Sequence, residues 1–522
     1  MGPVSVAQGA AASIPPVDAA NIGDGTLNLQ LTSSATWLAA ATGPARACAL
    51  GGSCIPINFT AQTASLARGT YTALVTVRDA AAVDAPQTIT VSVAVGGAIP
   101  ERFEFFARPG SGPLTSIITA NTLLTVVPTT ATGGNWLAVT AGSGGSFQFP
   151  MRYTVTASPA GLGEGNYSGT LTISNSQLAA DNRAIPVILR VTSQPIAAIP
   201  ERLGLRLATN AAAQTIPISV PNRGGGTLNI TGATAAGSPS WLTVNANQPA
   251  AGVVSLRLNP AGLQPGVYET TLTIASNAAN AAQTIPLRFE VVAAGPPLAY
   301  AGGAVNNANF ESGDLLAPGE IVALFGEQFT TGEPQLASSV PLPTELGGVR
   351  VLVHGMPAPL YYVSYGQINF QMPNEIGPGD AIIRVERGGQ QGNAIGVALA
   401  SRAPRILPTT EAFRQRWRRG DVVVLYAIGL GPTSPSVPTG AAAPSAEPLA
   451  RVEGFRVRLG STSPFGDGID VIPDFVGLTP GFVGLYQINL PIPANSPVGD
   501  AVDLTLLGPD AGTSNRVTLA ID

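Results

Sequence analysis

Short runs in which apolar and polar residues alternate are the dominant pattern of this chain. Small, aromatic or branched apolar residues occupy most of the alternate positions in three such runs, Gly69–Val77, Gly165–Ile173 and Gly266–Ile274. A period of two predicts β-strands with one buried face. Turn residues separate such runs at intervals of about 8–12 residues, which is typical of antiparallel sandwiches, and no run has the 3.6-residue period of an amphipathic helix.

Internal repeats divide the first part of the chain. Ala98–Arg102 has the same sequence as Ala198–Arg202, and Trp-Leu pairs begin at Trp37, Trp136 and Trp241. Each pair precedes one of the alternating strands, so three tandem domains of about a hundred residues are predicted. We expect their bounds to be 1–96, 97–195 and 196–294.

The repeated aromatic residues are expected to define the fold. The Trp of each unit is predicted to fill the core between two sheets, and Tyr71, Tyr167 and Tyr268 are predicted to be packing or corner residues. Carbohydrate stacking by these rings is the alternative.

A different pair of repeats follows a linker at Ala293–Pro297. Pro318–Gly326 is echoed by Arg419–Ala427, and Gly366–Pro373 is echoed by Tyr486–Pro493. Two further sandwiches are therefore predicted, at 298–402 and 403–522. The predicted fold class is all-β, with five tandem immunoglobulin-like antiparallel β-sandwich domains in an elongated array.

The first three units resemble the bacterial BACON-like and related immunoglobulin-like modules, because they carry Trp-Leu and Gly-x-Tyr landmarks. Some members of that group are thought to bind glycans, and many are spacers. The resemblance therefore implies a fold and leaves both roles open.

Residues from about Ala304 to Asp522 resemble a C-terminal domain of large secreted acidobacterial proteins, of the Solibacter type. Each half also resembles the IPT/TIG immunoglobulin-like fold. The family has no established activity, so the resemblance implies secretion and fold. The segment between Pro404 and Gly420 is short and Arg-rich for the family. The matching segments are Leu316–Ile321, Pro341–Pro343, Leu346–Val349, Ala358–Ser364, Gln367–Phe370 and Leu425–Pro432.

The amino-acid composition excludes most common kinds of catalytic site. Charged residues make up 11% of the chain, Lys is absent, and His354 is the only His. The chain therefore lacks a phosphate-binding or Schiff-base Lys and the several imidazoles of a His-rich metal site. A Ser-His-Asp triad would need His354, which lies where a strand runs into a turn and is expected to be exposed. We predict a non-enzyme with no catalytic, cofactor-binding or metal-binding residues.

Charge also argues against nucleic acid as a partner. The net charge is −5, so the chain lacks the basic surface that such binding needs. The run Arg414–Arg419 is either a surface for an anionic polymer or a solvated turn between two strands, and we favour the turn. No apolar run reaches the ~18 residues that span a bilayer.

Cys48 and Cys54 flank a small, Gly-containing segment and are predicted to form a disulfide; two unpaired thiols are the alternative. A disulfide in a charge-poor chain indicates an extracellular or cell-surface location. The first residues, Met1–Val6, lack a leader pattern. We therefore expect a leader to have been removed, or to lie outside this sequence.

Several segments are candidates for binding. Asp467, Asp470 and Asp474 could bind calcium, but their spacing fits neither an EF-hand nor an RTX pattern, and a plain polar loop is favoured. Tyr361, Tyr362 and Tyr365 could form a platform on which a sugar stacks. Alternation places Tyr361 and Tyr365 on one face of the strand and Tyr362 on the other, so at least one of the three rings is expected to pack inward.

Two segments bear on assembly. The Pro-rich stretch Pro432–Pro448 is a binding protrusion or a clamp over a neighbouring domain, and we favour the clamp. The first strand, at Val4–Val6, pairs within its own domain or is donated to another molecule.

The sequence favours a secreted structural or adhesive protein whose partner is another copy of itself, joined end to end or by strand donation. A carbohydrate-binding array with a polysaccharide partner is the alternative. A hydrolase would need two exposed carboxylates facing each other at about 5–10 Å, and no motif supports one.

Overall fold

The computed structural model describes the chain except for residues 1–3, 7–8, 10, 22–24, 49–52, 67–68, 83–85, 97–98, 121–122, 142–150, 177–178, 201, 247–251, 281–282, 312–313, 409, 414, 462–467 and 510–511. The described residues form two compact units, one within residues 1–292 and one built mainly from Ala293–Asp522. The fold is all-β, as predicted. The first unit contains three sandwiches, and the second contains two.

Each sandwich of the first unit consists of seven or eight strands. Sandwich one contains β1 (Val4–Val6), β2 (Ala11–Asn21), β3 (Gln30–Ser33), β4 (Leu38–Thr42), β5 (Arg46–Ala47), β6 (Ser53–Gln62), β7 (Gly69–Arg78) and β8 (Gln87–Val95). Sandwich two contains β9 (Phe103–Ala107), β10 (Leu114–Ala120), β11 (Thr125–Thr130), β12 (Leu137–Ala141), β13 (Met151–Ala157), β14 (Gly165–Ser174), a 3-10 turn (Ala179–Asp181) and β15 (Ala184–Val191). Sandwich three contains β16 (Leu203–Ala208), β17 (Gln214–Ser219), β18 (Ile230–Ala235), β19 (Leu242–Asn245), β20 (Val253–Leu258), β21 (Gly266–Ser276) and β22 (Gln283–Val292).

The three sandwiches share one topology. One sheet is four-stranded and has the order β1-β8-β7-β3, β9-β15-β14-β11 or β16-β22-β21-β18. The other has the three-stranded order β2-β6-β4, β10-β13-β12 or β17-β20-β19, and in sandwich one β5 adds a fourth strand by pairing with β6. The first strand pairs in parallel with the last strand in sandwiches one and two, through Val4 opposite Val93 and Phe103 opposite Val187. The predicted first strand therefore pairs within its own sandwich, where Val6 is buried.

The aromatic landmarks of sandwiches two and three have the predicted structural roles, whereas Trp37 of sandwich one is only half-buried. Trp136 and Trp241 are buried between the sheets, and the Trp136 indole donates a hydrogen bond to the Thr132 carbonyl at 2.8 Å. The hydroxyls of Tyr167 and Tyr268 each donate to a carbonyl four residues upstream, at 2.9 Å. These side chains close the corner of the following strand, as a corner residue does.

The second unit contains two larger sandwiches. Sandwich four contains β23 (Leu298–Asn306), β24 (Ile321–Glu327), β25 (Gln335–Leu336), β26 (Val349–Val353), β27 (Met356–Pro357), β28 (Leu360–Val363), β29 (Gln367–Gln371), β30 (Gly379–Arg387) and β31 (Gln390–Leu399). Sandwich five contains β32 (Arg405–Ile406), a 3-10 turn (Glu411–Phe413), β33 (Arg416–Trp417), β34 (Val422–Ile428), β35 (Arg456–Leu459), β36 (Ile469–Val471), β37 (Phe475–Leu478), β38 (Tyr486–Pro491), β39 (Gly499–Leu507) and β40 (Val517–Ile521).

The sequence echo between these two sandwiches is also a structural echo. Their sheets have the orders β23-β24-β29-β28-β25 and β27-β26-β30-β31 in sandwich four, and β32-β34-β38-β37 and β33-β40-β39-β35-β36 in sandwich five. Central strands β24 and β29 correspond to β34 and β38. Their inward residues, among them Leu324, Phe370, Leu425 and Leu490, are fully buried. The echoed motifs are therefore core strands in both sandwiches.

Helical structure is limited to two 3-10 turns in the described residues. Over that part of the chain, no helix has the length and apolar character needed to cross a bilayer.

We predict that Trp136→Ala destabilises sandwich two by about 3–5 kcal/mol, because it leaves a cavity and removes a buried indole. Scanning calorimetry of the full chain should show one transition lowered by at least ~10 °C while the others stay in place. Leu123→Ala is the control, since Leu123 is 66% exposed. Equal transitions in both variants would show that Trp136 is not a core residue.

Candidate functional site

The structure places His354 in an exposed turn. This turn joins β26 to β27, and the backbone of His354 has a positive φ of 49°. Its Nε2 lies 3.0 Å from the carbonyl oxygen of Asp380. The imidazole therefore contacts a backbone carbonyl, and it is exposed as predicted.

Two of the three aspartates of the possible calcium loop, Asp470 and Asp474, lie among the described residues. Asp467 lies outside the described residues. The Asp470 carboxylate pairs with Arg458 at 3.0 Å and with Arg456 at 3.9 Å, so arginines already neutralise it. The described residues include no group of three or more His, Cys, Asp or Glu that could hold a metal ion.

The three tyrosines of the possible sugar platform are separated by the fold. Tyr365 is buried, and the hydroxyl of Tyr361 donates a hydrogen bond to the carbonyl of Val483 in sandwich five. Burial raises the pKa of Tyr361 to about 12. Tyr362, also on strand β28, is half-buried and is the one of the three tyrosines that neither lies in the core nor contacts sandwich five. The sugar platform is therefore wrong, and the expectation that at least one ring packs inward is correct.

Two residues of the Arg-rich run form an edge strand, and the exposed turn that was expected follows them at Arg418–Gly420; Arg414 lies outside the described residues. Arg416 and Trp417 form β33, which pairs in parallel with β40, so the chain gains a strand where a loop was expected. The Arg416 guanidinium binds Asp522 at 2.6 Å and also pairs with Asp500. The Trp417 indole donates to the carbonyl of Ala412 at 2.8 Å. These contacts occupy the guanidinium of Arg416 and the indole N–H of Trp417, which an anionic polymer could have used.

Cys48 and Cys54 are joined by a disulfide, with Cα atoms 5.1 Å apart. Cys54 lies in β6 and is buried. The bond closes a short loop at the edge of sandwich one, beside the pairing of Arg46 with Cys54.

The contact between sandwiches four and five brings together several buried polar side chains and closely packed glycines. We call this contact the joint. It is formed by Glu320, Tyr361 and Gln371 of sandwich four and by Gly429, Gly440 and Tyr486 of sandwich five.

The Pro-rich stretch 432–448 closes one side of the joint, as the predicted clamp. The amide of Gly440 donates to Gln371 Oε1 at 2.7 Å, and the carbonyl of Gly440 accepts from the Leu342 amide at 2.9 Å. The Thr439 hydroxyl accepts from the Asn374 amide at 2.9 Å and donates to Glu375 at 2.7 Å. With the bond from Asn374 Nδ2 to the Val437 carbonyl at 3.1 Å, five hydrogen bonds therefore fix this loop to sandwich four.

Glu320 is a fully buried carboxyl group at the centre of the joint. Its Oε2 accepts a hydrogen bond from the Ala317 amide at 2.7 Å, whereas Oε1 has no hydrogen-bond partner among the described residues. Burial raises the pKa of Glu320 from an ordinary 4.5 to about 8, against the opposing effects of the Ala317 hydrogen bond and the Arg405 charge. The group is therefore predominantly protonated at neutral pH.

Sandwich five covers Glu320 with a glycine turn and a tyrosine. A Cβ atom on Gly429 would lie 3.4 Å from the Glu320 carboxyl carbon and 2.1 Å from the Ala403 carbonyl oxygen. Tyr486 is also buried, its hydroxyl donates to the Gly431 carbonyl, and burial raises its pKa above the ordinary value. Only glycine fits at position 429, so the backbone itself seals the carboxyl from water.

An ion pair borders the same contact. Arg405 of sandwich five binds Asp314 of sandwich four at 2.8 Å, and both side chains are largely shielded from solvent. The joint thus combines a neutral carboxyl, backbone hydrogen bonds and one shielded ion pair. This arrangement fixes two domains, and the sealed Glu320 has no access for a substrate.

Sequence reasoning did not single out Glu320. The echo of Gly319-Glu320 by Gly420-Asp421 was visible in the sequence. However, an echo shows that two residues share a turn, and it does not show which of the two is covered.

No protein-family model and no curated protein matches the chain. The two family resemblances therefore stay predictions.

Solved structures with tandem sandwiches are similar to the chain at low identity. Cadherin repeats 1–4 of Drosophila N-cadherin are 12% identical over 73% of this chain and 94% of that chain, with a TM-score of 0.22. A titin I-band fragment is 11% identical over 57% of this chain and 95% of that one, with a TM-score of 0.15. An endo-fucoidan hydrolase of glycoside hydrolase family 107 is 16% identical over 55% of this chain, with a TM-score of 0.17, and this chain spans 42% of its length. At these TM-scores the likenesses carry no argument about function.

We predict that the stability of the joint falls as the pH rises from about 5 to about 8. The unfolded chain releases the Glu320 proton near pH 4.5 and the folded chain near pH 8, so the folded state binds more protons in this window. The slope is about 1.4 kcal/mol per pH unit at most. Glu320→Gln should flatten this dependence in urea unfolding, whereas exposed Glu345→Gln should not; equal slopes in all three proteins would contradict the assignment.

A second prediction concerns Gly429. Gly429→Ala should loosen the joint, because its methyl group overlaps the Ala403 carbonyl oxygen. Gly355→Ala is a matched control, since Gly355 has a similar φ of 79° but open space around its Cβ position. Limited trypsin digestion should cut the linker after Arg402 at least about tenfold faster in Gly429→Ala, which corresponds to about 1.4 kcal/mol of opening. Similar cleavage of both variants would show that the turn does not close the joint.

Proposed function

We propose that this chain is a secreted, non-catalytic structural or adhesive protein of the cell surface or extracellular space, which assembles with copies of itself. The joint is the observation that best supports this role. Tandem domains linked only by flexible segments move independently. Here, by contrast, a clamp loop, a shielded ion pair and a sealed carboxyl fix sandwich five on sandwich four.

The outer faces of the sandwiches fit the same role. In sandwich two, Ser168 and Thr172 of β14 and Val127 and Thr129 of β11 are exposed on one sheet face. In sandwich one, the hydroxyls of Thr72 and Ser92 lie 2.9 Å apart across neighbouring strands. Surfaces of this kind have few ions to desolvate, so they favour association between molecules.

The disulfide supports the extracellular part of the proposal. Disulfides persist in oxidising compartments and are rare in the reducing cytosol. The bond between Cys48 and Cys54 is the only covalent cross-link that the described residues contain.

The test is light scattering combined with negative-stain electron microscopy of the purified full chain over a range of concentrations. Self-assembly predicts a mass that rises above 52.8 kDa with concentration, and ordered fibres, sheets or pairs in the images. A mass that stays at 52.8 kDa at every concentration would contradict it.

Carbohydrate binding is the second candidate, and the exposed hydroxyl-rich sheet faces favour it. Titration with polysaccharides should then show saturable binding, and Thr172→Arg on the face of sandwich two should abolish it for that sandwich. A chain that assembles but shows no glycan binding at millimolar ligand would remove this candidate.

A further inference from the structure

The first strand of each three-stranded sheet in the first unit is an edge strand. It pairs with the central strand of its sheet, as β2 does with β6, β10 with β13 and β17 with β20. The Leu of each Trp-Leu pair lies opposite the same central strand and gives the three sheets a common register. These pairs are Leu38 with Ala61, Leu137 with Ala157 and Leu242 with Leu258. The three edge strands can therefore be matched residue by residue.

One matched position on the edge strands carries proline in two of the three sandwiches. It is occupied by Pro217 in sandwich three and by the bulge that contains Pro15 and Pro16 in sandwich one. In sandwich two the position is occupied by Ile117, which is 55% exposed. The central-strand residues opposite this position, each three residues before the partner of the Leu, are Asn58, Thr154 and Ser255.

Proline at this position shows which way the backbone faces. A proline lacks the N–H that a strand donates, so within a strand it is accepted where its nitrogen faces away from the neighbouring strand. The common register then places the N–H and C=O of Ile117 on the free edge of β10, since both groups of a residue point to the same side in an antiparallel pair. Pro217 and the Pro15-Pro16 bulge keep another strand from pairing at their edges. Sandwich two lacks this protection.

β10 is also a regular strand along its whole length. Its seven residues, Leu114–Ala120, pair with β13 without a register shift and include no proline and no charged residue. The edge strands of the other sheet in sandwich two carry Glu104 in β9 and Pro128 in β11. A long, uncharged and exposed edge strand is a template for pairing with another chain, and proteins ordinarily protect such edges. An edge left open while both of its counterparts carry proline is suited to receive a strand.

The free edge of β10 is complementary to a second copy of itself. Because outward groups alternate, the backbones of Thr115, Ile117 and Thr119 face this edge. A twofold axis at Ile117, the central residue of the strand, brings two copies into full antiparallel overlap. Thr115 then lies opposite Thr119 of the other copy, Ile117 lies opposite its own copy, and the three pairs exchange about six N–H···O=C hydrogen bonds. Since β10 has no charged side chain, the identical strands meet without the repulsion of like charges.

We propose that two copies of this chain pair antiparallel through β10 of sandwich two, about a twofold axis at Ile117. The two three-stranded sheets then join as one sheet in the order β12-β13-β10-β10-β13-β12. The matched edges of sandwiches one and three carry proline, so the same contact does not form there and this pairing stops at two copies. The proposal rests on the self-assembly proposed above and names the strand and the symmetry of one contact.

The test compares the full chain with two variants at Ile117 by sedimentation velocity over a concentration series. Ile117→Pro removes the central N–H of the contact, and the matched Pro217 shows that a strand accepts proline at this position. Ile117→Thr removes the same apolar side chain but keeps the N–H, so it is the matched control. We expect the full chain to approach twice 52.8 kDa. Pairing should weaken at least about tenfold in Ile117→Pro and stay within about threefold in Ile117→Thr. Circular dichroism should show that both variants are folded.

Hydrogen exchange gives a second measurement that needs no variant. The amides of Thr115 and Ile117 are paired in the twofold contact and face the free edge without it, so exchange in peptides that cover β10 should slow as the protein concentration rises. The internal control is β17, because Pro217 protects its edge and its exchange should not depend on concentration.

The outcomes separate this contact from self-assembly in general. If the unaltered chain assembles and Ile117→Pro assembles equally well, β10 is not the contact, although self-assembly stands. If Ile117→Thr weakens pairing as much as Ile117→Pro, an apolar side chain rather than strand pairing carries the association, and the proposal is overturned. If the unaltered chain stays monomeric up to about 1 mM, both proposals fail.

Discussion

Burial of apolar side chains between two sheets is the constraint on which the rest of this structure depends. With charged residues at 11% of the chain, ionic contacts contribute little, and each sandwich is stabilised by every second residue of its strands. Leu171, Ile173, Val187 and Leu189 of sandwich two are all fully or almost fully buried. The side chains between them are left for the outer faces, and these are mostly Thr, Ser and small apolar residues.

The echoed turns at Glu320 and Asp421 show how one local structure serves two purposes. In both, a side-chain carboxyl oxygen accepts a hydrogen bond from the amide three residues upstream, Ala317 or Arg418. In sandwich five the acid is exposed and sits among arginines. In sandwich four the next domain covers the acid, and the cost of burying a charge is avoided because the group holds its proton. The same turn is therefore a surface feature in one sandwich and a sealed contact in the other.

The sequence was sufficient to predict the fold class and the positions of several individual residues. Alternation predicted strands at Gly69–Val77, Gly165–Ile173 and Gly266–Ile274, and the structure extends each by one or two residues. Repetition of the Trp-Leu pair predicted the buried Trp136 and Trp241, although the equivalent Trp37 is only half-buried. The exposed turn of His354 followed from its place at the end of a strand.

The alternating pattern of the sequence could not predict the contacts between domains. Alternation predicts which face of a strand is apolar, but it does not predict which domain packs on the end of a sandwich. Tyr361 was expected on a possible sugar surface, but its hydroxyl reaches Val483, 122 residues away. Arg416 and Trp417 were expected in a turn, because two residues give no measurable period. Both errors come from partners that are distant in sequence, whereas local patterns carry information only about neighbours.

In sandwiches one and two, the parallel pairing of the first and last strands sets the earliest point in synthesis at which the sandwich can be completed. Val4 of β1 pairs with Val93 of β8, so β1 has no final partner until 89 further residues have been made. At ribosomal speeds of about 5–20 residues per second, this wait lasts roughly 4–18 s. Sandwiches one and two therefore have all of their strands before the sandwich that follows each of them has been synthesised in full. A chain of similar modules therefore has a vectorial route to its fold, in which every module matures while its neighbour downstream is still incomplete and unable to exchange strands with it.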